Sequence, residues 1–195
     1  NQGVSLGPIK MNATKSQQLT ATGGDLYRNS RDDLHPTQVR KIRPTRRSVS
    51  GIYAFRGEAA IAFESTLERD FLIRTEFFQS VLEVIPQPVE IPFLAQTGAR
   101  YTYTPDFLVY YRLGNRSYEH YPKPVLIEVK PEADWRKHWR EWMPKWKAAR
   151  RFAQSQGWEF HIQDETRIRD LPFQNIKFLE RYKRRSEERR VGKEC

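Results

Sequence analysis

The sequence predicts an α/β fold in which a mixed central sheet is flanked by helices. Three observations predict it. Apolar residues recur at near-helical spacing between Phe63 and Phe78 and again beyond Asp134; short runs rich in Val, Ile, Tyr and Phe lie between these stretches; and Gly or Pro punctuates the joins. The resulting order is helix, three or four strands, helix, strand, helix, with no internal repeat. A chain of 195 residues is long enough for one ordinary domain with a hydrophobic core and too short for a second full one.

The first helix carries Leu67, Phe71, Leu72 and Phe78, and Ser65 with Glu68 three residues later forms an S-x-x-E capping box at its start. Val81 to Ile85 reads as a strand that Pro86 and Pro88 end or kink, and Glu90 to Leu94 as a second short extended piece. Gly98 marks a turn before Tyr101–Thr104, whose aromatic and β-branched content predicts a strand continuing through Phe107–Tyr111, and Gly114-Asn115 is a hairpin signal. Val125 to Lys130 is an apolar strand carrying Glu128 and Lys130 two residues apart, so both face the same side, and Pro131 stops it. Asp134 to Gln156 is helical in composition, with Pro144 dividing or kinking it and Gly157 as the C-cap. A strand at Trp158–Ile162 and a helix from about Asn175 to Arg184 follow.

Composition narrows the chemistry. With 38% hydrophobic and 30% charged residues, the chain has the make-up of a soluble globular protein, and no apolar run approaches the ~18 residues that span a bilayer. No membrane association is expected, and the expected compartment is the cytoplasm. The net charge of +10 predicts a polyanionic partner, most commonly a nucleic acid. The single cysteine, Cys195, excludes a disulfide framework and a Cys-based zinc site, and His35, His120, His138 and His161 show no paired-ligand spacing. Any bound metal must therefore be held by oxygen, which points to Mg2+ or Mn2+.

Residues 1–50 read as an extended basic arm, with Met11 as the native start. Its cluster Lys41, Arg43, Arg46 and Arg47 suits DNA phosphates as well as it suits a solvated linker. The folded domain is expected over residues 51–184. Residues 185–195 resemble a translated sequencing adapter, a non-native tail that leaves room for a missing C-terminal domain; a charged, solvated tail is the plainer alternative.

The chemistry concentrates in one strand pair. Charges on an otherwise apolar strand are costly unless paired or coordinated. Glu128 and Lys130 alone would pass for a wet outer face, but Pro105-Asp106 stands at the junction of the preceding strand-like halves. The pattern P-D, spacer, E-x-K is that of a restriction-endonuclease-like PD-(D/E)xK core. Carboxylates from two adjacent strands suit one or two Mg2+ (or Mn2+) ions and phosphodiester hydrolysis, with Asp106 and Glu128 as metal ligands and the Val129 carbonyl as a further oxygen. Lys130 would then orient or activate water and offset developing charge. Glu68 on the first helix is the fourth candidate, and Glu64, one turn earlier, is its competitor.

Four motifs together carry a family resemblance: Phe63-Glu-Ser-Thr-Leu-Glu-Arg-Asp-Phe71, Val81-Leu-Glu-Val-Ile-Pro-Gln-Pro-Val89, Tyr103-Thr-Pro-Asp-Phe-Leu-Val109 and Ile127-Glu-Val-Lys-Pro131. In this order, over roughly residues 50 to 184, they resemble TnsA, the endonuclease subunit of heteromeric cut-and-paste transposases. The resemblance implies that Glu68, Asp106, Glu128 and Lys130 form the catalytic site of a magnesium-dependent endonuclease. Gln87 matches a family glutamine near that site. It implies cutting of the 5′ ends, the non-transferred strands, of a transposon in double-stranded DNA. A TnsB-like transposase would act on the 3′ ends, and a TnsC-like ATPase regulator would join if the C-terminal region is present; a prokaryotic, nucleoid-associated protein is expected.

Two other readings stay open: a different PD-(D/E)xK nuclease, restriction or junction-resolving, and a non-catalytic DNA-binding assembly module. Trp135, Trp139, Trp142 and Trp146 recur at helical spacing, so at least half should be core, while Arg136, Lys137 and Arg140 on the opposite face are the better phosphate contacts.

Overall fold

The computed structural model describes residues 36–40 and 49–191. Lys41, Arg43, Arg46 and Arg47 of the expected DNA-binding arm lie outside the described residues. The centre is a four-stranded sheet of β3 (Val81–Pro86), β6 (Phe107–Tyr111), β7 (Val125–Val129) and β8 (Glu159–Gln163), in the order β3-β6-β7-β8. β3 and β7 run antiparallel to β6, and β8 is parallel to β7, so the sheet is mixed, as the sequence predicts. The parallel pairing needs a crossover. It is supplied by α2 (Glu132–Lys137) and α3 (Trp139–Ser155).

Two hairpins flank this sheet, β1 (Gly51–Phe55) with β2 (Ala59–Phe63), and β4 (Ile91–Leu94) with β5 (Arg100–Tyr103). The first pairs Phe55 with Ala59 across a turn in which Arg56 (φ 54°) and Gly57 (φ 73°) are both left-handed, an Arg-Gly signal overlooked in favour of longer apolar runs. The expected continuous strand from Tyr101 to Tyr111 is two strands in two sheets. Pro105, with no N–H to donate, falls in the break. Nor does Gly114-Asn115 close a tight hairpin: β6 ends at Tyr111 and β7 begins at Val125, with a 3-10 turn at Tyr118–His120 between them.

Strand alternation sorts the core into two layers. On one face Phe107 and Val109 of β6 with Val125, Ile127 and Val129 of β7 pack against Leu67, Phe71 and Leu72 of α1 (Thr66–Glu76). On the other, Leu108 and Leu126 pack against Trp146, Ala149, Phe152 and Ala153 of α3 and against Ile91 and Tyr103 of the second hairpin. The even-numbered residues of β6 and β7 thus face α3. Asp106, Glu128 and Lys130 fall on that parity.

The capping box at α1 forms as expected: Ser65 is extended and its hydroxyl accepts from the Glu68 amide. The far side of α1 is tied to α4 (Glu165–Ile168) and α5 (Leu171–Val191) by ion pairs joining Asp70 to Arg169 and Arg74 to Asp170. α5 begins before the expected Asn175 and runs through Val191, so its backbone continues into the segment expected to be a tail. The break in the tryptophan-rich region comes at His138, and Pro144 sits inside α3. Proline cannot donate to the carbonyl four residues back, that of Arg140. The Gln96 side-chain amide donates to that carbonyl instead, at 2.6 Å.

Candidate active site

Asp106 and Glu128 come from neighbouring strands and meet at Lys130. The Lys130 ammonium lies 3.7 Å from Asp106 Oδ2 and 3.5 Å from Glu128 Oε1. Lys130 continues the β7 ladder by one residue, its amide donating to the Gln163 carbonyl, which fixes its side chain on the Glu128 face. Asp106 is anchored on both sides of its backbone: its amide donates to the Ile127 carbonyl, and its own carbonyl accepts from Gln87. Its Oδ2 accepts from the Val129 amide at 2.7 Å. The Val129 amide thus donates to Asp106, and the Val129 side chain belongs to the α1-facing core; neither involves the carbonyl expected as a ligand.

Glu128 is 1% exposed, and its oxygens are divided among three donors. The Tyr103 hydroxyl donates to Oε2 at 2.5 Å, while Oε1 lies 3.4 Å from the Lys145 ammonium as well as close to Lys130. Neither Tyr103 nor Lys145 was singled out by sequence reasoning. Tyr103 precedes the P-D motif on a strand separated from Glu128 by a long stretch of chain, and Lys145 is one lysine among the many of a basic chain.

Burial and crowding of like charge perturb the site. Burial, reinforced by the Glu128 charge, pushes the Asp106 carboxyl well above the usual carboxylate range, against the pull of Lys130. Burial likewise raises Glu68, opposed by bonds from the Glu64 amide and Ser65 hydroxyl and by the Lys130 charge. For Lys130 burial alone would lower the pKa, but Asp106, Glu128 and Glu68 together outweigh it and hold the ammonium above its ordinary value. Strongly perturbed acids around one lysine are a recurrent signature of functional sites.

Glu68 reaches this field from α1 but is not idle there. Ser65 Oγ donates to its Oε1 at 2.9 Å and the Glu64 amide to its Oε2 at 2.8 Å. Glu64 itself pairs with Arg40 at 2.5 Å. Of the two helical acids, Glu68 is the one felt by Asp106 and Lys130. Gln87 is buried, left-handed (φ 45°) and linked to the same corner: its carbonyl accepts from Val39, and its amide, oriented to satisfy both partners, bridges the Arg40 carbonyl and guanidinium at 2.7 and 2.9 Å. Arg136, Lys137 and Arg140 are exposed on α2 and the start of α3, with Arg136 paired to Glu132 at 2.6 Å.

Residues 78–165 match the family model described as TnsA-like endonuclease N terminal. This segment is a TnsA-like endonuclease domain. The TnsA-like match spans β3 to β8, including Gln87, Asp106, Glu128 and Lys130, and covers less than half of the chain; α1 with Glu64 and Glu68 lies outside it. What the match supports is a TnsA-like nuclease domain in this segment. No curated protein matches the chain in sequence. No helix among the described residues is long and apolar enough to cross a membrane.

The donor set of the TnsA-like domain suits a hard divalent cation, which takes carboxylate oxygens and commonly needs only one or two from the protein beside water and substrate phosphate. Asp106 and Glu128 supply that number. The expected convergence of three acids is a different matter. Among the described residues no group of three or more His, Cys, Asp or Glu side chains is gathered to hold an ion, and both Glu68 oxygens accept hydrogen bonds at the α1 cap.

Proposed function

We propose that this chain is a metal-dependent DNA endonuclease subunit that cuts the 5′ ends, the non-transferred strands, of a transposon during cut-and-paste transposition. The observation that carries the reading is the meeting of Asp106 and Glu128, from adjacent strands on one sheet face, at Lys130. Asp106 and Glu128 would hold Mg2+ or Mn2+, one or two ions, which when bound supplies Lewis acidity toward the scissile phosphate.

The remaining work falls to the chain itself. Lys130, held charged by its acidic neighbours, orients water and offsets negative charge that develops on the phosphoryl oxygens as the water oxygen bonds to phosphorus and the bond to the leaving sugar oxygen breaks. The Val129 amide holds one Asp106 oxygen in place, leaving the other to the reaction. Glu68 adds negative charge at the same corner, and its entry as a ligand requires it to leave the cap. Arg136, Lys137 and Arg140, exposed on α2 and the start of α3, would bind phosphates without reading sequence. The reading assigns 3′-end cutting and joining to a TnsB-like transposase. It leaves a TnsC-like ATPase to any further C-terminal region.

Labelled transposon-end DNA incubated with Mg2+, with and without the cognate transposase, tests this function. Cutting of the 5′ strand confined to the mixture is the expected result. Efficient cutting by the chain alone would favour a self-sufficient restriction or junction-resolving nuclease, and inertness in every mixture would leave a non-catalytic assembly module.

A further inference from the structure

Besides Lys130, two residues to which no motif gives a role meet the Glu128 carboxylate. Tyr103, at the end of β5, donates to Oε2 at 2.5 Å and is itself buried. Burial, with the Glu128 charge next, pushes its phenol well above the usual tyrosine pKa and so keeps it a donor. Lys145 approaches Oε1 to 3.4 Å from α3, and its side chain is 17% exposed. Its ammonium lies over three rings, 4.7 Å from Trp142, 5.1 Å from Tyr103 and 5.7 Å from Trp146. Aromatic faces attract a cation while excluding water from it.

The two lysines on Glu128 therefore differ in kind. Lys130 bridges both strand acids and is the more exposed, at 27%. Lys145 meets Glu128 alone, from within an aromatic box that turns it away from a passing DNA phosphate. A carboxylate buried without partners would be free to rotate or to leave the site. Hydrogen-bonding partners behind metal ligands commonly fix the ligand's orientation, and their loss costs about 10–100-fold in metal affinity or activity.

We propose that Tyr103 and Lys145 are positioning residues that fix the Glu128 carboxylate toward Asp106 and release Lys130 to serve the substrate. The inference rests on the nuclease reading above. Gln96, whose amide caps the carbonyl left open by Pro144, ties the hairpin bearing Tyr103 to the helix bearing Lys145, so both jaws belong to one packed unit.

The test uses the full chain with its transposase partner, measuring single-turnover end cleavage, DNA affinity, and Mn2+ affinity by calorimetry. Tyr103→Phe changes no charge and should weaken Mn2+ binding and slow cleavage, each by about tenfold, with DNA affinity unchanged. Lys145→Met should slow cleavage by about 10–100-fold, and Lys145→Arg, which keeps the cation over the rings, should recover most of it. Should Lys145→Met fail to fold, Tyr103→Phe and Lys145→Arg carry the test. Wild-type Mn2+ affinity and rate in Tyr103→Phe would overturn the clamp. So would a Lys145→Met defect that appears as weaker, less salt-sensitive DNA binding, which is the mark of a phosphate-binding lysine. Asp106→Asn separates the two levels. If it is inert while the clamp variants cut normally, the nuclease reading stands and the clamp falls; if it cuts like wild type, or the wild type is itself inert, both fall.

Discussion

Asp106 sits where burial works against its charge. Its side chain is 13% exposed, beside Glu128, and its carboxyl holds a proton more tightly in the folded chain than at its ordinary pKa of 3.8. Below 3.8 both folded and unfolded states are protonated, and the raised pKa favours the fold in full. As pH climbs from there toward the raised value, the native state holds the extra proton and stability falls. Glu68, also raised, adds to the same trend from 4.5 upward. Asp106→Asn should therefore melt higher than wild type in metal-free buffer near neutral pH, and the gap should shrink toward pH 4. Thermal melts with chelator across that range check it, and a lower melting point for the variant at neutral pH would contradict it. The same variant should lose end cutting while staying folded.

Ser65 can be separated from this chemistry. Ser65→Ala should cost about 1 kcal/mol through loss of the cap, or about 2–4 °C in melting temperature for a domain of this size. Glu68→Gln tests the acid more gently, since an amide oxygen can still accept at the cap. A fall in cleavage with a melting point at or above that of wild type near neutral pH is the expected outcome.

At the scale of elements, alternation in β6 and β7 decides which residues serve the core and which the site. Leu126 and Glu128 face the same side, but Leu126 is fully buried against α3, while Glu128 ends the row where Tyr103 and Lys145 meet it. Leu126→Ala should destabilise the chain by about 2–5 kcal/mol, whereas Glu128→Gln should leave denaturant unfolding near wild type and remove function. Equal destabilisation by both would mean that Glu128 is simply a core residue. This periodicity was legible in the sequence, as were the cap at Ser65 and the convergence of Asp106, Glu128 and Lys130, because each follows from local spacing. The break at Pro105, the hairpin at Arg56-Gly57 and the jaw formed by Tyr103 and Lys145 were not. They depend on which hairpin folds over which sheet face, and Lys145 reaches Glu128 only once α3 is laid across β7. The three-acid meeting expected of Glu68 was only half legible: spacing brings it to the right corner, but its own helix cap competes for both oxygens.

For the whole molecule, the net charge of +10 and the exposed Arg136, Lys137 and Arg140 suit the polyanionic substrate of the proposed function. Replacing these three with Gln should weaken binding to all duplexes alike and lower the slope of log affinity against log salt by about one for each phosphate that the variant no longer neutralises. Fluorescence anisotropy at several salt concentrations measures that slope. A variant that lost preference for one sequence at constant slope would instead assign base recognition to them.

Under the proposed function, Asp106 and Glu128 would share a divalent ion near the position that the Lys130 ammonium now takes between them. Anomalous diffraction from crystals of the chain grown with Mn2+ tests it most directly. The expected result is a Mn2+ peak bonded to one oxygen of each carboxylate, with Lys130 moved aside and the bond from Tyr103 to Glu128 intact. Ordered Mn2+ bound elsewhere, with Asp106 and Glu128 still closed on Lys130, would contradict it.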